Sequence, residues 1–281
     1  MSGAVYFIVK MVKRRYDNTP VFVGNKAKRL LLPYLFFAVA MTLIICHMTT
    51  VNYSFVGKFR EFLLMGRYLC HLWFLPTLFF TFVIFNFLNR YFVKHILVNL
   101  ILLGVVSVAS DFLPISALPF QLNLVCHYMF YFYLGYVMCY VVLSHEINAK
   151  NCAGWSLIIF AALLAVKFFT LGVPYFPLAL SPLVAIAGTF AVFFGCYAFQ
   201  SFCRNKYVKA IADYSFGIYL FHPAFLYMIF YFMRDYEVAP MLLFVATSVA
   251  VFVVSILLTR IFRATPFLAI FIGEKYRKGK R

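Results

Sequence analysis

Cys70-His71-Leu72-Trp73-Phe74-Leu75-Pro76-Thr77-Leu78-Phe79-Phe80 opens an apolar run that continues to Asn89. About 17–25 apolar residues are enough to cross a bilayer as a helix. The run therefore predicts a transmembrane helix over 70–89, with one histidine and one tryptophan at its mouth. Seven further runs of this kind lie at 30–48, 95–111, 122–143, 152–170, 182–201, 214–233 and 240–262. Residues 1–12 read as the last turns of a ninth helix whose beginning precedes Met1. The expected fold is all-α, a polytopic transmembrane helix bundle. Ionisable groups are costly inside such helices, so His71 and, far downstream, His222 are candidates for function.

Composition supports this class. The chain of 281 residues is 65% hydrophobic and 12% charged, against about 45–50% and 25% in soluble domains. No polar linker divides it, so one transmembrane domain over 1–281 is expected, with 263–281 as a basic cytoplasmic tail. The net charge of +17 is explained by topology, without nucleic acid. If the helices alternate, the segments 13–29, 90–95, 144–151, 202–213 and 260–281 fall on one side and carry 19 Lys/Arg, against four on the other. Basic residues accumulate in cytoplasmic loops, which puts the rich side and the C terminus inside. The same loops suit anionic lipid headgroups as a partner.

The seven cysteines have no CxxC spacing and sit mostly in apolar runs, where a small apolar side chain is the plain reading and no metal site is expected. Proline marks the joins at Pro114, Pro119, Pro174, Pro177 and Pro182. Pro76 and Pro223 fall inside predicted helices, where each leaves a carbonyl one turn upstream without its helical donor. His47, His95 and His145 sit at helix ends, where solvation is the default; His127 lies near the outer end of its helix.

Five segments in order carry a resemblance. They are Met1-Ser2-Gly3-Ala4-Val5-Tyr6-Phe7, Lys26-Ala27-Lys28-Arg29-Leu30-Leu31-Leu32-Pro33-Tyr34, His71-Leu72-Trp73-Phe74-Leu75-Pro76, Phe132-Tyr133-Leu134-Gly135-Tyr136 and Tyr214-Ser215-Phe216-Gly217-Ile218-Tyr219-Leu220-Phe221-His222-Pro223. Together they resemble membrane acyltransferase family 3, the integral O-acyltransferases of bacterial glycans. The second segment departs from the family's R-x-x-R pattern, with Lys26 at its first position. The resemblance implies ten helices in a complete member: eight full helices and a partial one here, and a first helix before Met1. That first helix carries the histidine held to be catalytic, and none of the six histidines here corresponds to it. The chain is thus expected to be truncated at its N terminus, and inactive or nearly so without an extension.

The resemblance also distributes roles. Lys26 and Arg29, three residues apart, would contact the phosphates of acyl-CoA; the alternative is plain positive-inside anchoring. His222, eight residues into its helix, and Tyr219, one turn earlier, would line the acyl-CoA path or else fasten two helices as a polar pair. His71 and Trp73 would form the acceptor site, a sugar ring stacking on the indole; otherwise His71 is solvated and Trp73 belongs to the interfacial aromatic belt. The catalytic base stays unassigned, with His222 the candidate in this chain. The function expected is transfer of an acyl group, acetyl foremost, from acyl-CoA to a sugar hydroxyl of a surface polysaccharide or its precursor, at the cytoplasmic membrane. The alternatives are a non-catalytic remnant of the family and a glycan or lipid transporter. Acceptor identity and oligomeric state stay open.

Overall fold

The computed structural model describes residues 2–13, 18–48, 54, 56–57, 59, 71–111, 122–173 and 176–274. Among them the regular structure is all helical: α1 Ser2–Phe7, continued by a π-helical turn Ile8–Val12, then α2 Thr19–Met48, α3 Phe74–Lys94, α4 Ile96–Asp111, α5 Leu122–Ser144, α6 Ala149–Phe169, α7 Phe176–Ala198, α8 Gln200–Cys203, α9 Lys206–Met233, α10 Pro240–Ala264 and α11 Pro266–Phe271. Six helices are long and apolar enough to cross a membrane: Thr19–Met48, Leu122–Ser144, Ala149–Phe169, Ala179–Ala198, Lys206–Met233 and Pro240–Ala264. The protein is an all-α, multi-pass membrane protein. All eight expected apolar runs fall on helices, but among the described residues α3 and the 16-residue α4 are not among the six long and apolar enough to cross.

Their ends differ from the sequence reading. α2 starts at Thr19 and α9 at Lys206, where 13–29 and 202–213 read as loops. Hydropathy marks only the lipid-embedded part of a helix, whereas backbone hydrogen bonding carries α2 and α9 on through their basic turns. α6 begins after Asn148, whose side chain accepts from Asn151 N at 3.2 Å and caps the helix. Two prolines, Pro76 and Pro182, also change meaning. α3 starts at Phe74, so Pro76 lies in its first turn, and the Leu72 carbonyl it cannot reach accepts from Leu75 N at 3.1 Å. Pro33 and Pro182, by contrast, lie inside α2 and α7. Pro114, Pro119, Pro174 and Cys70 fall outside the described residues.

The chain divides into two compact units. The first comprises Met1–Arg15 and Tyr131–Ile211. Here α1 packs on the second half of α5, whose residues 132–139 are all buried. Gly3 permits the contact: a Cβ there would collide with the Phe132 carbonyl oxygen and lie 2.9 Å from Tyr136 N. Phe7 completes it, edge-on to Tyr136 at 4.9 Å. α6 and α7 form a hairpin, with the Lys167 ammonium donating to Ser181 Oγ at 2.8 Å.

The second unit comprises Tyr16–Phe130 and Ala212–Arg281. α2 and α3 meet through Phe22 and Phe82, 6.2 Å apart, and Asn86 of α3 donates to Thr19 Oγ1 at 3.1 Å. α9 meets α2 through Phe221 and Phe37 at 5.1 Å, and α10 through Phe221 and Phe262 at 5.0 Å. Gly217 brings the α9 backbone against buried Thr259 of α10. Small residues at such crossings let helices approach closely in lipid, where packing replaces the hydrophobic drive.

Candidate functional site

The turn before α3 carries His71 and Trp73, and it is held from both sides. Leu72 and Leu75 are fully buried, and the Tyr219 hydroxyl of α9 donates to the His71 backbone carbonyl. That bond ties two segments 148 residues apart in sequence. The His71 ring stands edge-on to Tyr219 at 5.1 Å and to His222 at 5.4 Å. Phe74 and Phe216 flank Tyr219 at 6.1 and 6.2 Å.

The two imidazoles have different surroundings. His222 Nδ1 lies 3.0 Å from the Ile218 carbonyl oxygen. A carbonyl only accepts, so the neutral ring carries its proton on Nδ1 and presents a lone pair on Nε2. The ring nitrogens of His71 are buried, and the Leu220 backbone reaches at most one of them, which leaves the other without a partner among the described residues. Burying polar atoms unpaired is costly, so His71 is a donor or acceptor awaiting a partner. One pinned ring with a basic nitrogen, beside a second with unused hydrogen-bonding capacity, is an arrangement suited to moving a proton.

His222 is sixteen residues beyond Lys206, the start of α9, or about 24 Å along the axis. The sequence reading counted eight residues from a helix beginning at 214, because the amphipathic first two turns carry no continuous apolar signal. The longer helix changes only where that count starts; His222 meets His71 because α9 packs on the turn before α3.

Trp73 turns instead to Tyr128 of α5, their rings stacked 5.1 Å apart at 29°. The segment bearing Tyr128 is fixed through the carbonyl of His127, which accepts from Ser107 Oγ at 3.0 Å. Tyr128 has no distinguishing mark in a sequence with 20 tyrosines.

Lys26 and Arg29 form a second locus, on α2. Rather than opening the helix they lie within it, on one face. The Lys26 ammonium sits 3.7 Å above the centre of the Phe82 ring. Arg29 is exposed. From Arg29 to Phe37, which touches the residue before His222, is eight residues of helix, about 12 Å.

Sequence reasoning missed a third cluster, around Arg263 near the end of α10. Arg263 donates through Nε and Nη2 to both carboxylate oxygens of Glu274, at 2.5 and 2.6 Å, and through Nη1 to Asp213 at 2.8 Å. Its guanidinium lies 4.8 Å from the Tyr214 ring centre. Two of only eight acidic residues in the chain are spent on one arginine. In the sequence, Arg263 is one basic residue among the seven of 260–281, and that stretch read as a tail.

Comparison with known proteins matches most of the chain to one family. Residues 1–260 match acyltransferase family 3 (Acyl_transf_3), described as an acyltransferase domain. No curated protein and no solved structure matches the chain.

Proposed function

From the premise that this chain belongs to acyltransferase family 3 and is a multi-pass membrane acyltransferase, we propose that it moves an acyl group, acetyl foremost, from acyl-CoA to a sugar hydroxyl of a cell-surface polysaccharide or its precursor. The membrane is the cytoplasmic one, and the C terminus lies on the cytoplasmic side with most of the basic residues. The observation that carries the reading is the histidine pair, with its rings 5.4 Å apart and His222 Nε2 left free by the Nδ1 contact.

In this mechanism His222 Nε2 takes the proton of the sugar hydroxyl as its oxygen attacks the thioester carbonyl. A His71 ring N–H donates to the oxyanion of the tetrahedral intermediate. The intermediate collapses with cleavage of the C–S bond, and the leaving thiolate takes the proton back from His222. Products are the sugar ester and free coenzyme A. Trp73, backed by Tyr128, offers an apolar face for the sugar ring, and Tyr219 holds the His71 turn in place.

The donor reading comes from the family resemblance, and the spacing supports it. Arg29, with Lys26 beside it, would hold phosphates by charge-assisted hydrogen bonds. The roughly 12 Å along α2 to the level of His222 is a gap that the pantetheine arm, which separates the phosphates of coenzyme A from its thioester, spans.

The test is transfer of labelled acetyl from acetyl-CoA to a bacterial polysaccharide by the purified chain in lipid. Label recovered as a base-labile ester on the glycan is the expected result if His222 serves as the base, in place of the inactive short chain that the resemblance alone implies. A glycan that crosses sealed vesicles without any need for acetyl-CoA would make the protein a transporter instead. No transfer from the folded chain would make it a non-catalytic member.

A further inference from the structure

The C-terminal helix and the residue pair after it lie beyond the stretch that matches the family, which ends at residue 260. Yet they are built with care. α11 opens on Pro266 and closes on Gly273 at φ 63°. Glu274 N donates to the Ala269 carbonyl and Gly273 N to the Ile270 carbonyl, each at 3.0 Å. This six-to-one and five-to-two pairing is a Schellman cap, which needs a left-handed residue at the position of Gly273. Ala269 and Ile272 are fully buried, and Phe271 stacks on Phe36 of α2 at 4.6 Å.

The cap is fixed at two points. One is Arg263, which grips the Glu274 carboxylate with two donors and Asp213 of α9 with a third. The other is Arg29. Pro33 has no N–H, so the Arg29 carbonyl one turn upstream lacks its helical donor. Gly273 lies against that carbonyl: a Cβ on it would collide with the Arg29 oxygen and stand 3.0 Å from the Arg29 carbonyl carbon and Cα. The Cα–H in place of a side chain therefore points at the freed oxygen, a weak donor for an acceptor without a helical one. Gly273 is required twice over, for its φ and for this approach.

Distances along the helices give the clasp a place in the reaction. Arg29 is about 12 Å along α2 from the level of His222, and Asp213, nine residues before His222 on α9, is about 14 Å from it. Two helices thus place the clasp at one level, that of the Arg29 turn and away from the histidines.

We infer that residues 263–274 are a clasp that sets the Lys26–Arg29 turn of α2 for the phosphates of acyl-CoA, with Gly273, Arg263 and Glu274 as positioning residues. The inference rests on the reading of Arg29 as a phosphate contact. Gly273 acts on the backbone of Arg29 and Glu274 acts through Arg263, so neither touches the donor.

The experiment uses the full chain in lipid nanodiscs and equilibrium binding of labelled acetyl-CoA. Gly273→Ala and Glu274→Gln should each weaken binding about tenfold, as Arg29→Ala should. Gly273→Ala with Arg29→Ala should lose less than the two single variants together, since in the absence of Arg29 a displaced turn can lose only the Lys26 contact. Amide exchange over 26–30 should speed up about tenfold in the two clasp variants and stay unchanged in Arg29→Ala. If Gly273→Ala does not fold, Glu274→Gln decides. Weakened binding in Arg29→Ala alone, with wild-type binding in the clasp variants, would overturn the clasp and leave the donor reading standing. Wild-type binding in Arg29→Ala would remove the donor reading and the inference with it.

Discussion

Replacing Gly217 by alanine adds one carbon at the tightest point between α9 and α10. That carbon would fall on the Thr259 hydroxyl, 2.5 Å from its Cγ2 and 2.8 Å from its Cβ, where about 3.5–4.0 Å is comfortable. Thr259 cannot turn away. It is fully buried, and its hydroxyl donates to the Ser255 carbonyl at 2.7 Å. The helices must therefore part by about 1 Å to restore contact distance. Overpacking of this kind costs about 1–3 kcal/mol, while alanine gains roughly 0.8–1 kcal/mol in helix propensity. The collision involves three atoms of a rigid side chain, so the upper part of the packing range applies and the net loss is about 1–2 kcal/mol. Parting α9 from α10 also shifts His222, five residues on, against His71, and a shift of about 1 Å at reacting groups is worth up to roughly 10²-fold in rate. The assay is reversible unfolding in mixed micelles together with acetyl transfer. Thr259→Ala removes two of the three colliding atoms, so the double variant should be at least about 1 kcal/mol more stable than the sum of the singles. Wild-type stability and rate in Gly217→Ala, or strict additivity with Thr259→Ala, would refute the reasoning.

Trp73→Ala removes the stack on Tyr128, worth about 0.5–1.5 kcal/mol; it should raise KM for the glycan several-fold and leave acetyl-CoA binding unchanged, read by steady-state kinetics and binding. A cysteine introduced at Lys278 should resist a membrane-impermeant maleimide in intact cells and react after permeabilisation, as the 19-to-four split of basic residues requires; labelling in intact cells would invert the topology. Glu274→Gln should weaken acetyl-CoA binding while the circular-dichroism melt stays within a few degrees of wild type, since one charge leaves but the cap and its packing remain.

Much of the fold was legible because lipid imposes a simple demand. A membrane helix must be apolar and about 20 residues long, and each expected apolar run did centre on a helix. What hydropathy does not see are helical turns outside the lipid. The basic turns of α2 and α9 extend two helices past their apolar signal, and those of α9 double the distance of His222 from its helix start. Asn148 as an N-cap, and the Pro266-to-Gly273 frame of α11, were readable signals of the kind that marks helix ends. The net charge pattern drew attention away from the latter. The candidate residues His71, Tyr219 and His222 were each visible as polar groups in apolar surroundings. Their meeting was not, because it depends on one hydroxyl reaching a backbone carbonyl 148 residues away. Nor was the Arg263 cluster, whose partners come from α9 and from the residue following Gly273.

The central claim is that the His71–His222 pair performs the acid–base step of acyl transfer, with His222 Nε2 as the base. The most direct measurement is kcat for acetyl transfer by wild type and His222→Ala in the same lipid, alongside acetyl-CoA binding by both. The account predicts that kcat falls by about 10²–10⁴ while the affinity for acetyl-CoA changes less than about threefold. Turnover at the wild-type rate in a folded His222→Ala protein would contradict it.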